Sequence, residues 1–230
     1  KFVIHSKKEM RLWGSVLLGE LGCMNSSIVV AELALLLENK TEVKMTTAEH
    51  RLGVYNALTT IAQHAGECTA HSQVLEAIVK LLKKETGSAK EAANLALLYW
   101  MQSFKNSEAE STTSKGYDMA LSYLAEPIQN MKTGSNVISS EVKFRLGNLM
   151  KSLEYSTVHA ILLNMIALLN KKKTDADAFI KGCKAIVDAA MKKYKNSKLV
   201  AQSDGLLCLY ILLLIVQEQG LTSVANFEKA

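Results

Sequence analysis

The sequence predicts an all-α protein built of successive helical hairpins, and three observations predict it. A single proline in 230 residues leaves helical hydrogen bonding almost uninterrupted. Aromatic residues make up 6% of the chain, thin for a sheet protein, whereas the 49% apolar content is ample for a continuous core. Helix-start signals, finally, recur along the chain at intervals of about forty residues.

Those signals are capping boxes, in which a Ser or Thr side chain accepts from the backbone three residues on and a Glu placed there reaches back. Ser6-Lys-Lys-Glu9, Thr46-Thr-Ala-Glu49 and Ser88-Ala-Lys-Glu91 have this form; Ser140 before EVKFRLGNLMKSL and Asp175 before the run to Tyr194 mark two further starts. The spacings are 40, 42, 52 and 35 residues. Each start is followed by a second apolar helix, at 26–38, 71–84, 114–131, 156–170 and about 198–219. The predicted hairpins are therefore 6–38, 46–84, 88–131, 140–170 and 175–219, with a trailing helix at 221–230. KNSEAESTTS at 105–114, polar and without periodicity, reads as a loop that lengthens the third interval. Pro127 is expected to bend the helix that contains it.

The last of these helices carries eleven consecutive apolar residues, Leu206 to Val216. A bilayer span takes about 20, so the run is too short to cross a membrane and has to be covered by protein on both flanks. Stacked hairpins supply such cover. Helix pairs recurring every ~40 to 47 residues are the mark of HEAT and armadillo arrays, and the irregular spacing without motif glycines favours HEAT. The expectation is one α-solenoid segment over 1–230, about five hairpins plus the start of another helix. A compact helical bundle is the other arrangement the same hairpins allow. The opening KFVIHSKK has no initiator methionine, targeting segment or leading apolar stretch, and reads as part of a longer chain.

Cys23, Cys68, Cys183 and Cys208 show no close pairing and lie in or beside apolar stretches, as buried thiols of a reducing compartment do. A cytoplasmic location is expected, and the glycosylation-type triplets at Asn25 and Asn39 are set aside with no signal peptide before them.

No phosphate-binding glycine loop, nucleophile elbow or metalloprotease helix occurs. His64, Cys68 and His71 come nearest to a metal set, but three ligands do not close a tetrahedral structural site. No catalytic residue, metal, cofactor or small-molecule substrate is expected. Trp100, beside Tyr99 in EAANLALLYWMQSF, reads as packing within or between hairpins, and so does Trp13, at helical spacing with Val16 and Leu17.

Charge is unevenly placed. Residues 1–130 hold 13 Lys and Arg against 14 Asp and Glu, and residues 131–230 hold 14 against 8. The excess gathers in Lys171, Lys172, Lys173, Lys181, Lys184, Lys192, Lys193, Lys195 and Lys198, opposed by Asp175, Asp177 and Asp188. Along one helix at ~1.5 Å per residue this makes a stripe roughly 30 Å long, which suits sequence-blind contact with RNA phosphates. The plainer reading is a solvated helix face with cations near its C-terminus.

The order of the segments HSQVLEAIVKLL, EAANLALLYWMQSF, SEVKFRLGNLMKSL and QSDGLLCLYILLLI, spread from about Lys7 to Phe227, resembles the N-terminal HEAT region of the general-control translational activators. These are very large ribosome-associated proteins that turn on the initiation-factor kinase during amino-acid starvation. The resemblance implies a non-enzymatic scaffold with protein partners and ribosome or RNA contacts, for which the lysine stripe is the candidate surface. It carries over no functional residue. A tubulin-binding HEAT array, or a transport or assembly adaptor gripping an extended peptide, are the alternatives that the helical pattern leaves open.

Overall fold

A computed structural model of the chain describes residues 4–64, 71–106, 114–131, 139–171, 177–179, 181–183 and 185–186. Eight α-helices and no strand occur among these residues. The chain divides into two compact units, Lys1–Ala120 and Leu121–Ala230.

The first unit holds α1 (Lys8–Met24), α2 (Ser26–Leu37), α3 (Ala48–His64), α4 (His71–Leu82), α5 (Gly87–Asn106) and the opening turns of α6 (Lys115–Gln129). In it α1 packs on α3 and α3 on α5, while α2 packs on α4, so the helices form two stacked layers. Their shared core includes Val54, Leu58 and Ile61 of α3, Ile78 of α4 and Leu97, Trp100 and Met101 of α5, none more than 1% exposed. Burying apolar side chains from both flanks of α3 at once is what a middle layer of a stack does.

Helix starts lie within two residues of the predicted capping boxes, but different residues form the caps. Lys7 sits at the cap of α1 without a side-chain bond, and the carbonyls of His5 and Ser6 instead take Nη1 of Arg11 at 2.8 and 2.7 Å. In α3 the acceptor is Thr47, not Thr46: its Oγ1 receives the His50 N–H at 3.3 Å. Ser88 lies inside the first turn of α5. A threonine pair or a serine beside a glycine offers several registers, and neighbouring packing selects one. The α2 terminus closes on a Schellman motif, with the Lys40 N–H on the Leu35 carbonyl at 2.9 Å and the Asn39 N–H on Leu36 at 3.1 Å. Asn39 takes the left-handed conformation there, φ 55°, and its Oδ1 receives the Met45 N–H at 2.7 Å.

A buried ionic clasp ties the hairpins of this unit. Glu85, between α4 and α5 and 4% exposed, accepts from both Nε and Nη2 of Arg51 and from the Tyr55 hydroxyl at 2.9 Å. Burial and then the neighbouring Glu85 charge push the Tyr55 phenol well above its ordinary pKa.

The second unit holds the remainder of α6, then α7 (Ser140–Ser152), α8 (Tyr155–Asn170) and helical residues at 177–179, 181–183 and 185–186. Ser139 caps α7, its Oγ accepting from Val142 at 3.2 Å. Pro127 stands inside α6, which ends two residues later. Lacking an N–H, Pro127 leaves the Tyr123 carbonyl four residues back without its helical donor. Arg145 of α7 fills the vacancy: Nη1 donates to that carbonyl and lies 3.1 Å from Glu126, Nε donates to Glu141 at 2.8 Å, and the guanidinium sits 3.7 Å over the Tyr123 ring. Gly182 allows a close approach, since a Cβ there would lie 1.8 Å from the Ile128 carbonyl oxygen.

Of the predicted loop at 105–114, residues 105 and 106 instead extend α5; 107–113 lie outside the described residues, as do residues 187–230 with the apolar run Leu206 to Val216 and the trailing helix at 221–230.

Candidate interaction surface

Helix α1 is turned opposite to what its composition suggests. Its buried positions are Gly14, Ser15, Gly19 and Gly22, and they meet α3. A Cβ at Gly19 would lie 3.1 Å from Thr60, and one at Gly22 only 2.1 Å from Ile61. Glycines at helical spacing let the two backbones come together more closely than any larger side chain would permit. The large side chains of α1 consequently project the other way. Trp13 is 70% exposed and Met24 85%, with Leu12, Val16, Leu17 and Leu21 between them, and Ile28 and Leu35 of α2 extend the patch.

Trp13, expected to pack, is thus a surface residue among the described part of the molecule, whereas Trp100 packs as expected. It is 1% exposed, and its Nε1 donates to the Leu58 carbonyl at 3.0 Å. The sequence holds two competing stripes on α1, one small and one large, and does not rank them. Small residues at 15, 19 and 22 line one side of α1, and Trp13 stands on the side away from them.

The apolar face carries acidic side chains along its length, with two exposed cations, Lys7 and Lys8, at the N-terminal end of α1. Glu9, Glu20 and Glu32 are exposed within or beside it. Arg11, the one cation inside α1 past its first residue, is turned away onto the His5 and Ser6 carbonyls. Cys23, at the inner edge, donates to the Thr60 carbonyl at 3.9 Å; burial and then Glu20 raise its thiol pKa, which lowers its reactivity at neutral pH.

Beside this face runs a half-open groove of about 340 Å³ between α1, α3 and the start of α5, bordered by Lys8, Arg11, Ser15, Glu49, Asn56 and Ser88. The Arg11 guanidinium on its wall already serves the two carbonyls, and Glu49 is held below the usual carboxylate range by its own backbone N–H and by Thr47.

Of the lysine stripe, Lys171 and Lys181 fall among the described residues. Lys171 is exposed at the C-terminal cap of α8, where a cation is favoured by the helix dipole. Lys181 is exposed on a helical segment whose Phe179 and Cys183 are buried. Lys172, Lys173, Lys184, Lys192, Lys193, Lys195 and Lys198 lie outside the described residues. Of the histidine and cysteine set, His64 is exposed at the end of α3 and His71 opens α4, while Cys68 is outside; among the described residues no three metal-binding side chains converge. No described helix is long and apolar enough to cross a membrane.

Compared with known proteins, the chain matches no family model, no curated protein and no solved structure.

Proposed function

We propose that the chain is a non-enzymatic scaffold of HEAT-type repeats from a ribosome-associated translational-control protein, one that promotes activation of the initiation-factor kinase when amino acids are scarce. The observation that carries the scaffold reading is the two-layer stacking of α1, α3 and α5 over α2 and α4, with the large side chains of α1, and Ile28 and Leu35 of α2, directed outward. A stack of this kind offers extended surface in place of a pocket, and extended surfaces suit macromolecular partners. Its place in translational control rests on the order of HSQVLEAIVKLL, EAANLALLYWMQSF, SEVKFRLGNLMKSL and QSDGLLCLYILLLI. The lysines from Lys171 to Lys198 are assigned to ribosomal RNA phosphate.

Co-sedimentation of the chain with ribosomes across a salt series tests the reading. Binding that weakens steeply with salt, and that is lost when Lys192, Lys193, Lys195 and Lys198 are changed to Glu, supports it. Absence of binding, or binding indifferent to those four changes, removes the stripe from the account. A pull-down from lysate with and without nuclease separates RNA-mediated from direct protein contacts.

A further inference from the structure

We infer that the outward face of the α1–α2 hairpin is a docking site for a basic amphipathic helix. This deepens the reading of the chain as a protein-binding scaffold and rests on it. The line of residues Glu9, Trp13, Val16, Glu20 and Met24 advances by four, three, four and four positions, which keeps all five on one side of α1. Apolar side chains therefore sit between two carboxylates eleven residues apart, about 16 Å along the helix. Glu32 adds a third carboxylate on the exposed side of α2, near Ile28 and Leu35.

Charge decides among the possible occupants. An anionic bilayer or a phosphate backbone would be repelled by these glutamates, and surface-seeking membrane helices carry lysine and arginine on their rim, not acids. A second copy of the chain would bring three more carboxylates into the same seam, with Arg11 of each copy turned away and Lys7 and Lys8 confined to the first turn of α1. A helix with an apolar seam and two Lys or Arg about three turns apart meets both demands. It covers Trp13, Leu17 and Met24 and sets a cation against Glu9 and against Glu20. The receiving surface is already ordered, because the glycine side of α1 holds its backbone against Thr60 and Ile61 of α3.

The test uses the whole chain and a set of labelled helical peptides of about 16 residues, long enough for a little over four turns. All share one Leu/Ile seam and differ at two positions eleven apart, which are Lys, Gln or Glu. Fluorescence anisotropy gives affinity, and acrylamide quenching reports cover over Trp13, since Trp100 is already buried. The expected order is Lys over Gln over Glu, with the Lys peptide binding at least about tenfold tighter than the Glu peptide and protecting Trp13 from quencher. The Glu9→Lys, Glu20→Lys double variant, altered only at exposed positions, should invert the order. Equal binding of Lys and Glu peptides, no binding of the Lys peptide, protection of Trp13 by phosphatidylserine vesicles, or self-association of the chain abolished by Trp13→Ala would each overturn the inference. Ribosome co-sedimentation reads the other surface, so failure of the peptide and failure of the translational-control reading are separate results.

Discussion

Helices α1 and α5 occupy the same layer of the first unit and each carries one of the two tryptophans, yet Trp13 is 70% exposed and Trp100 is 1% exposed. The difference lies in what each helix offers to α3. Helix α5 inserts Trp100, Leu97 and Met101 and anchors the indole on the Leu58 carbonyl, filling volume. Helix α1 offers glycine and serine, removing volume so that backbone meets side chain directly. One flank of α3 is held by large side chains and the other by close approach. A large apolar residue in this molecule is therefore not by itself a core residue.

Breaking the α5 side should have the largest effect. Trp100→Ala removes a fully buried indole and is expected to destabilise the unit by about 3–5 kcal/mol in a urea titration. Loss of the buried clasp ranks close to it, since Glu85→Ala strands the Arg51 guanidinium and the Tyr55 hydroxyl, with an expected loss of about 3–5 kcal/mol that Glu85→Gln only partly avoids.

High pH attacks the inside without mutation. Burial raises the Tyr55 phenol, and burial pushes the Tyr123 phenol up to about 12, against the pull of the Arg145 charge, from an ordinary value of 10.0. Between those two values the unfolded chain releases protons that the folded chain keeps, so stability falls as pH rises and is flat below. Thermal melts followed from pH 8 to roughly 12 should show this decline, and Tyr55→Phe should flatten part of it.

On the α1 side, Gly22→Ala places a methyl group within 2.1 Å of Ile61 and should cost about 1–3 kcal/mol, an overpacking effect from a single carbon. Trp13→Ala sharpens the contrast most, because the same deletion that is severe at Trp100 should change stability by no more than about 0.5 kcal/mol at Trp13 while weakening peptide binding. A stability loss at Trp13 as large as that at Trp100 would remove the distinction between the two helices.

Much of this was legible beforehand. Helices α1 to α8 follow from apolar periodicity, and Pro127 stands two residues before the end of α6. Capping was legible only to within a residue or two, because Thr46 and Thr47 are chemically alike and the choice depends on where α3 seats. The Arg145 clasp was not legible, since the orphaned Tyr123 carbonyl and the guanidinium that satisfies it lie 22 residues apart in the chain. Asn94 was not either: a fully buried amide with neither its Oδ1 nor its Nδ2 paired breaks the rule that buried polar groups find partners, and nothing in the structure explains it.

By itself the sequence determined that the described part of the chain is helical and where α1 to α8 run, because a period of 3.6 and a near absence of proline act through local backbone geometry. Which face of each helix turns inward was decided only in three dimensions. Periodicity identifies a stripe but is blind to whether close approach of glycines or insertion of large side chains wins the contact, and that contest is settled by the neighbouring helix.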